Sequence, residues 1–148
     1  MTWKGRFVKR AEDLEAVFNS AVICRFPTVL LNPAENLSVT LIIKMLSAAT
    51  GWDVTPKELM KIGERAVNLT RVFNVKLGIN RRDDQLPARL RGEMREGASK
   101  GQRISKEDLD TMLNEYYRER GWDEMGIPTR RKLEKLDISE LAGVSLQR

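Results

Sequence analysis

The chain has 148 residues, a length suited to one domain, with 41% hydrophobic residues to fill a core and 32% charged residues to solvate a surface. It contains one cysteine, Cys24, and no histidine, which excludes an internal disulfide, a self-contained Cys/His zinc site and histidine-based acid–base or triad chemistry. Lys and Arg outnumber Asp and Glu by 26 to 21, and the surplus is local, because Lys76 to Lys106 holds nine basic and four acidic residues.

The start, Met1-Thr2-Trp3-Lys4-Gly5-Arg6, lacks the apolar run of a signal peptide, and no apolar stretch has the length to span a bilayer. A cytoplasmic protein is expected. The basic segment reads either as solvated surface or as a site for an acidic partner. No aromatic residue interleaves the charges from Arg81 to Arg103, which argues against a nucleic-acid stacking platform.

Leu14, Val17, Phe18, Ala21 and Val22 fall at helical spacing and predict a first helix over Glu12–Cys24. Asn36–Ala49 predicts a second, with Leu37, Leu41, Ile42, Met45 and Leu46 covering so much of its surface that it should be the most buried. A third opens at Thr55 as N-cap, with Pro56 at the first position and Glu58 at the capping-box position, and stops at Gly78. Its apolar stripe is Leu59, Ile62, Ala66, Leu69, Phe73 and Leu77.

Leu86–Leu90 fits a short helical turn, and Met94–Arg103, with Gly97 and Gly101, fits an exposed loop. Ser105, with Asp108 three residues on, opens another helix whose face is Leu109, Met112, Leu113, Tyr116 and Tyr117. Thr129–Leu136 is a last short helix. Gly51-Trp52-Asp53 and Gly121-Trp122-Asp123 each follow a helix and precede a capping Thr, so both read as helix corners: a left-handed Gly with a Trp folded back. The expected architecture is all-α, a single irregular domain of five or six helices over residues 1–148, with flexible ends at 1–9 and 137–148.

Few residues carry chemistry. Cys24 reads as a small hydrophobe or as one thiolate ligand to iron, and one cysteine cannot hold a cluster that takes four. Glu64, Asn68 and Arg71 form a row opposite the apolar stripe, either an exposed ladder or a polar face turned toward a partner. Arg81-Arg82-Asp83-Asp84 sets two carboxylates beside two arginines, which suits mutual pairing better than Mg²⁺. No G-x-x-x-x-G-K-[ST] loop occurs.

Taken in order, Ala49-Thr50-Gly51-Trp52-Asp53, Gly63-Glu64-Arg65, Asn68-Leu69-x-Arg71-x-Phe73-Asn74, Gly78, Arg82-Asp83-Asp84 and Leu86-Pro87-x-Arg89 resemble the aldehyde:ferredoxin oxidoreductase family. So do Leu113-x-Glu115-Tyr116-Tyr117, Arg120-Gly121-Trp122-Asp123 and Gly126-Ile127-Pro128-Thr129. The likeness covers about residues 10–136 and corresponds to the family's C-terminal helical domain. It implies an enzyme that oxidises aldehydes to carboxylic acids on a tungsten (or molybdenum) pterin and passes electrons through a [4Fe–4S] cluster to ferredoxin.

The resemblance also implies site residues. A family segment Asp-x-x-Gly-Leu-Cys, whose Asp contacts a pterin and whose Cys is a cluster ligand, aligns with Asn19-Ser20-Ala21-Val22-Ile23-Cys24. Cys24 is kept, Asn19 stands for the Asp and Val22 for the Gly. The family's pterin-cradling domain, its Cys-x-x-Cys-x-x-x-Cys motif and its active-site His have no counterpart in these 148 residues. The expectation is therefore a domain incomplete alone, with no catalytic residue of its own, working with the remaining domains or a larger oxidoreductase subunit. The rival expectation is a non-catalytic helical module derived from that family, binding an acidic partner through Lys76–Lys106.

Overall fold

The structure is a computed structural model, described here for residues 3–24 and 39–141. Six helices occur among the described residues: α1 Lys4–Ser20, α2 Val39–Thr50, α3 Pro56–Lys76, α4 Ala88–Arg91, α5 Lys106–Arg120 and α6 Arg130–Lys135. No strand accompanies them; Trp122 and Pro128 form an isolated antiparallel bridge. The chain groups into two compact units, one of residues 10–70 and one of residues 1–9 with 71–148.

In the unit of residues 10–70, Val17, Phe18, Ile42, Val54 and Leu59 form the buried core, with Leu14, Ile23, Val39, Ile43 and Leu46 packed against it. Gly63 of α3 lies so close to α1 that a Cβ there would stand 1.9 Å from the Asp13 carbonyl oxygen. A glycine at that point lets the two backbones approach, as no other residue could. The start of α3 is a complete capping box: Glu58 N–H donates to Thr55 Oγ1 at 3.2 Å, and Thr55 N–H donates to Glu58 Oε2 at 2.8 Å. The Thr55 bonds also hold the Glu58 carboxyl below its ordinary range.

Three expectations change here. α1 starts at Lys4 rather than Glu12, because Glu115 of α5 caps it from outside, accepting from Trp3 N–H at 2.7 Å and Gly5 N–H at 3.0 Å. It ends at Ser20, so Cys24 lies beyond the helix. α2 is not the most buried helix: only Ile42 is fully enclosed, while Leu41 and Met45 are exposed. Asn36 and Leu37 of that expectation fall outside the described residues. The apolar stripe of α3 is buried at Leu59, but its end, Phe73 and Leu77, is 62% and 66% exposed, while Asn68, Arg71 and Val72 are buried.

The unit of residues 1–9 and 71–148 is built on α5. Ser105 and Asp108 form a second capping box, and Gly121, at φ 70°, ends the helix in the left-handed conformation. Trp122 N–H donates to the Tyr117 carbonyl at 2.9 Å, and the Trp122 ring folds back onto Tyr116 and Tyr117, with centroids 5.5 and 5.9 Å away. This is the expected corner. At the other one, Gly51 also has a positive φ, 71°, but Trp52 remains about half exposed. Thr129 caps α6 by accepting from Lys132 N–H, and Ile138, which donates to the Leu133 carbonyl at 3.1 Å, is buried, so the chain is held beyond Asp137.

Candidate functional site

The polar cluster of the second unit centres on Arg71. A guanidinium can satisfy itself in a buried position only with a planar acceptor and further carbonyls. Arg71 Nη1 and Nη2 donate to Asp84 Oδ1 and Oδ2 at 2.9 and 2.6 Å, a two-pronged pair, and Nε donates to the Gly126 carbonyl at 2.7 Å. The guanidinium carbon stands 5.0 Å from the centre of the Trp122 ring, a cation–π contact. Tyr117 Oη donates to Asp84 Oδ2 in a short hydrogen bond.

Burial is the largest influence on both charged partners and opposes ionisation of each. Their mutual bonds outweigh it, so Arg71 is held above its ordinary value and Asp84, which also accepts from Tyr117, below its own. Burial first, and then the bond to Asp84, push the Tyr117 phenol well above its ordinary value. The cluster is therefore an ion pair locked by a neutral phenol. Gly126, at φ 75°, makes it possible: a Cβ there would stand 2.4 Å from Arg71 Nη2 and 2.9 Å from Tyr117 Cζ.

Arg81 forms an adjoining lock. Its Nη1 donates to Asn114 Oδ1 at 2.7 Å and its Nη2 to Asp110 Oδ1 at 3.1 Å, and its backbone N–H donates to the Met125 carbonyl at 3.0 Å. Arg120 is fully buried: Nε donates to Tyr116 Oη at 3.0 Å and Nη2 to the Lys9 carbonyl at 3.2 Å. Asp123 Oδ1 accepts from both Met125 and Ile127 N–H at 2.9 Å, shaping the loop that offers the Gly126 carbonyl.

The arginine-aspartate run behaves differently from the local pairing that adjacency suggests. Asp84 pairs with Arg71, and Arg81 with Asp110. Asp83 Oδ2 accepts from Asn80 N–H at 2.9 Å, which makes it a turn residue, and Arg82 is exposed. The row Glu64, Asn68, Arg71 is not an exposed ladder. Asn68 is fully buried, and its Nδ2 donates to the Glu64 carbonyl at 2.8 Å, while Arg71 belongs to the cluster above. The roles of Arg81, Asn114, Glu115 and Arg120 escaped sequence reasoning. Arg120 had a signal, its place immediately before the corner glycine.

Asn19 and Cys24 lie apart from these locks. Asn19 is exposed in the last turns of α1, and its carbonyl accepts from Val22 N–H at 3.2 Å. Val22 has φ 56°, and Ile23 N–H closes onto the Phe18 carbonyl at 2.9 Å, a left-handed helix ending made with valine. The Val22 side chain is 92% exposed and Cys24 is an exposed free thiol. Among the described residues no group of three or more His, Cys, Asp or Glu could hold a metal. One thiolate does not satisfy an iron–sulfur cluster, so the donor set described here does not fit that group by itself. No helix of the described residues is long and apolar enough to cross a membrane.

The sequence model for "Aldehyde ferredoxin oxidoreductase, domains 2 & 3" matches residues 2–138. The tungsten-containing aldehyde ferredoxin oxidoreductase of Pyrococcus furiosus is 42% identical over 131 residues, which are 87% of this chain and 20% of that protein. The enzyme of the same name from Thermococcus kodakarensis is 40% identical over 131 residues, again 87% and 20%. In fold, the chain is similar to the active site complex BamBC of benzoyl coenzyme A reductase, with a TM-score of 0.75 at 24% identity, covering 94% of this chain and 20% of that one. The chain thus spans about a fifth of the length of the curated relatives it matches. Arg71, Asp84, Tyr117, Trp122 and Gly126, drawn from five separate motifs, converge on one buried cluster, and with the match over residues 2–138 the chain belongs to the aldehyde ferredoxin oxidoreductase family.

Proposed function

We propose that the chain is the C-terminal helical domain of an aldehyde:ferredoxin oxidoreductase-like enzyme, incomplete alone. The complete assembly would oxidise an aldehyde to a carboxylic acid and pass two electrons through an iron–sulfur cluster to ferredoxin. One observation supports this reading: the family motifs occur in order within the matched residues 2–138, and five of them meet in the cluster around Arg71. The Arg71–Asp84–Tyr117 lock joins the end of α3, the 80–84 turn, α5 and the corner loop. Its work is to hold these elements in one arrangement.

Cys24 is the residue this chain would contribute to a cluster, with the other thiolates coming from outside residues 1–148. Its exposure beyond the end of α1 supports that role. Asn19 offers weaker support for pterin contact: an amide has one acceptor oxygen and no charge, where a carboxylate offers two charged oxygens to a pair of N–H groups. No reaction step is assigned to either residue.

The test is elemental analysis for W, Mo and Fe on the protein isolated anaerobically from its native source. Metal in stoichiometric amount, together with a larger co-purifying polypeptide or further domains, is expected. A clean, metal-free chain with no companion would overturn the enzymatic reading and leave the fold alone. Within a metal-bearing assembly, Cys24→Ser should lower iron content and alter the cluster spectrum; an unchanged spectrum and unchanged iron remove the ligand assignment.

A further inference from the structure

Several cations of the unit built on α5 are locked and others, in one continuous stretch, are not. Arg6, Arg71, Arg81, Arg120 and Arg130 all hold side-chain partners. Arg89, Arg91, Arg95, Lys100 and Arg103 hold none among the described residues, and all five lie in the uninterrupted exposed stretch 87–104. Glu93 and Glu96 share that stretch without pairing to them, leaving a local surplus of three positive charges.

A merely solvated loop would present polar residues. This one also exposes Leu90, Met94 and Ile104, at 51%, 55% and 39%. Nor is its backbone loose. Met94 N–H donates to the Gln102 carbonyl and Gly101 N–H to the Met94 carbonyl, both at 2.9 Å, while Gly97 and Gly101 take φ of 80° and 79°. Arg95, Lys100 and Arg103 therefore stand within a few residues of a single backbone crossing. A closed loop offers its charges with part of the ordering cost already met.

We infer that the closed loop at 89–103 is a docking surface for an acidic protein whose carboxylates surround a small apolar centre. Four of its five cations are arginines, the side chain that meets carboxylates with two parallel hydrogen bonds. The stretch 87–104 contains no aromatic residue on which a base could stack. Its one helix, α4, has four residues, too short to lie in a membrane surface with an apolar face. Leu90, Met94 and Ile104 supply the centre of the contact and the cations its rim. This assignment stands independently of any metal chemistry in the assembly.

The test is a titration of the full chain against a short labelled peptide in which glutamates alternate with leucines, read by fluorescence anisotropy. Binding should weaken as salt is added and fall by about tenfold in Arg95→Glu/Arg103→Glu, the size of effect expected when close charge pairs are reversed. Leu90→Ser/Met94→Ser should weaken it at unchanged salt dependence. Lys57→Glu/Lys135→Glu, which changes net charge equally on exposed residues elsewhere, should leave it intact. Absent binding overturns the inference, as does an equal loss in the Lys57/Lys135 variant. It is overturned as well if a single-stranded oligonucleotide or phosphatidylserine vesicles bind more tightly than the peptide.

Discussion

Asp84→Ala takes both carboxylate oxygens from Arg71 and the acceptor from Tyr117, and leaves a guanidinium that is 8% exposed with one remaining bond, to Gly126. Removing one partner of a buried pair costs about 3–5 kcal/mol, because the surviving charge is left desolvated and uncompensated. The Asp84 side chain keeps 23% of its surface exposed, so water can reach one side of the gap, and the expected loss is about 3 kcal/mol, the lower end. Asp84→Asn should cost less, since it retains one acceptor, but it turns an amide NH₂ toward donors. Replacing both partners, Arg71→Met with Asp84→Leu, should recover much of the loss, because no charge then remains buried. Urea unfolding followed by tryptophan fluorescence reads this directly: Trp122 is buried in the cluster, whereas Trp3 and Trp52 are exposed. A loss below about 1 kcal/mol for Asp84→Ala, the value of a surface pair, would refute the reasoning, and so would additive single and double variants.

Val22→Gly should raise stability by roughly 0.5–1 kcal/mol, because left-handed strain costs a side chain about 1–2 kcal/mol and glycine's extra backbone entropy returns only part of it. Val22 is 92% exposed, so no packing is lost, and an unchanged or lowered denaturation midpoint contradicts this. Gly126→Ala should cost about 2–3 kcal/mol from strain and overpacking together, since its Cβ would meet Arg71 and Tyr117. Gly51→Ala, with a similar φ but nothing within 4 Å, should cost about 1 kcal/mol from strain alone; equal losses would show that the Gly126 contacts do not matter. Stability should also depend on pH at both ends. Asp84 is depressed below the ordinary 3.8, so its contribution is present above that pH and is lost as pH falls through its folded value. Tyr117 is raised above the ordinary 10.0, so its contribution is full below pH 10.0 and declines as pH climbs from there toward the folded value. Denaturation midpoints across pH that show no acid loss in the wild type beyond that of Asp84→Ala would remove the first assignment; an alkaline loss unaltered by Tyr117→Phe would remove the second.

Local chemistry was legible along the chain. The capping boxes at Thr55–Glu58 and Ser105–Asp108, the left-handed glycines at the two tryptophan corners and the Thr129 cap depend on residues three or four apart. Such contacts are set by spacing, and spacing is what a sequence displays. The ordered motifs likewise announced the family. What those motifs do was not legible, because Arg71 meets Asp84 thirteen residues on and Gly126 fifty-five residues on. Periodicity left Arg71 either on an exposed ladder or on a polar face turned toward a partner, and put Phe73 and Leu77 in the core stripe. Phe73 and Leu77 are exposed and Arg71 is buried, as a guanidinium can be without an unsatisfied donor when it meets a planar carboxylate, a carbonyl and an aromatic face.

The start of α1 shows the same division. Nothing in residues 3–9 predicts a helix end there, since its cap is Glu115, more than a hundred residues away. The sequence by itself determined the helical class, the corners, the caps and the family, all of which rest on neighbours in the chain or on an ordered set of residues. Only the tertiary structure decided which face of each helix is buried and which charges are locked. It also separated the spent cations from the free ones at 89–103, because burial and pairing depend on partners that the chain brings together only when it folds.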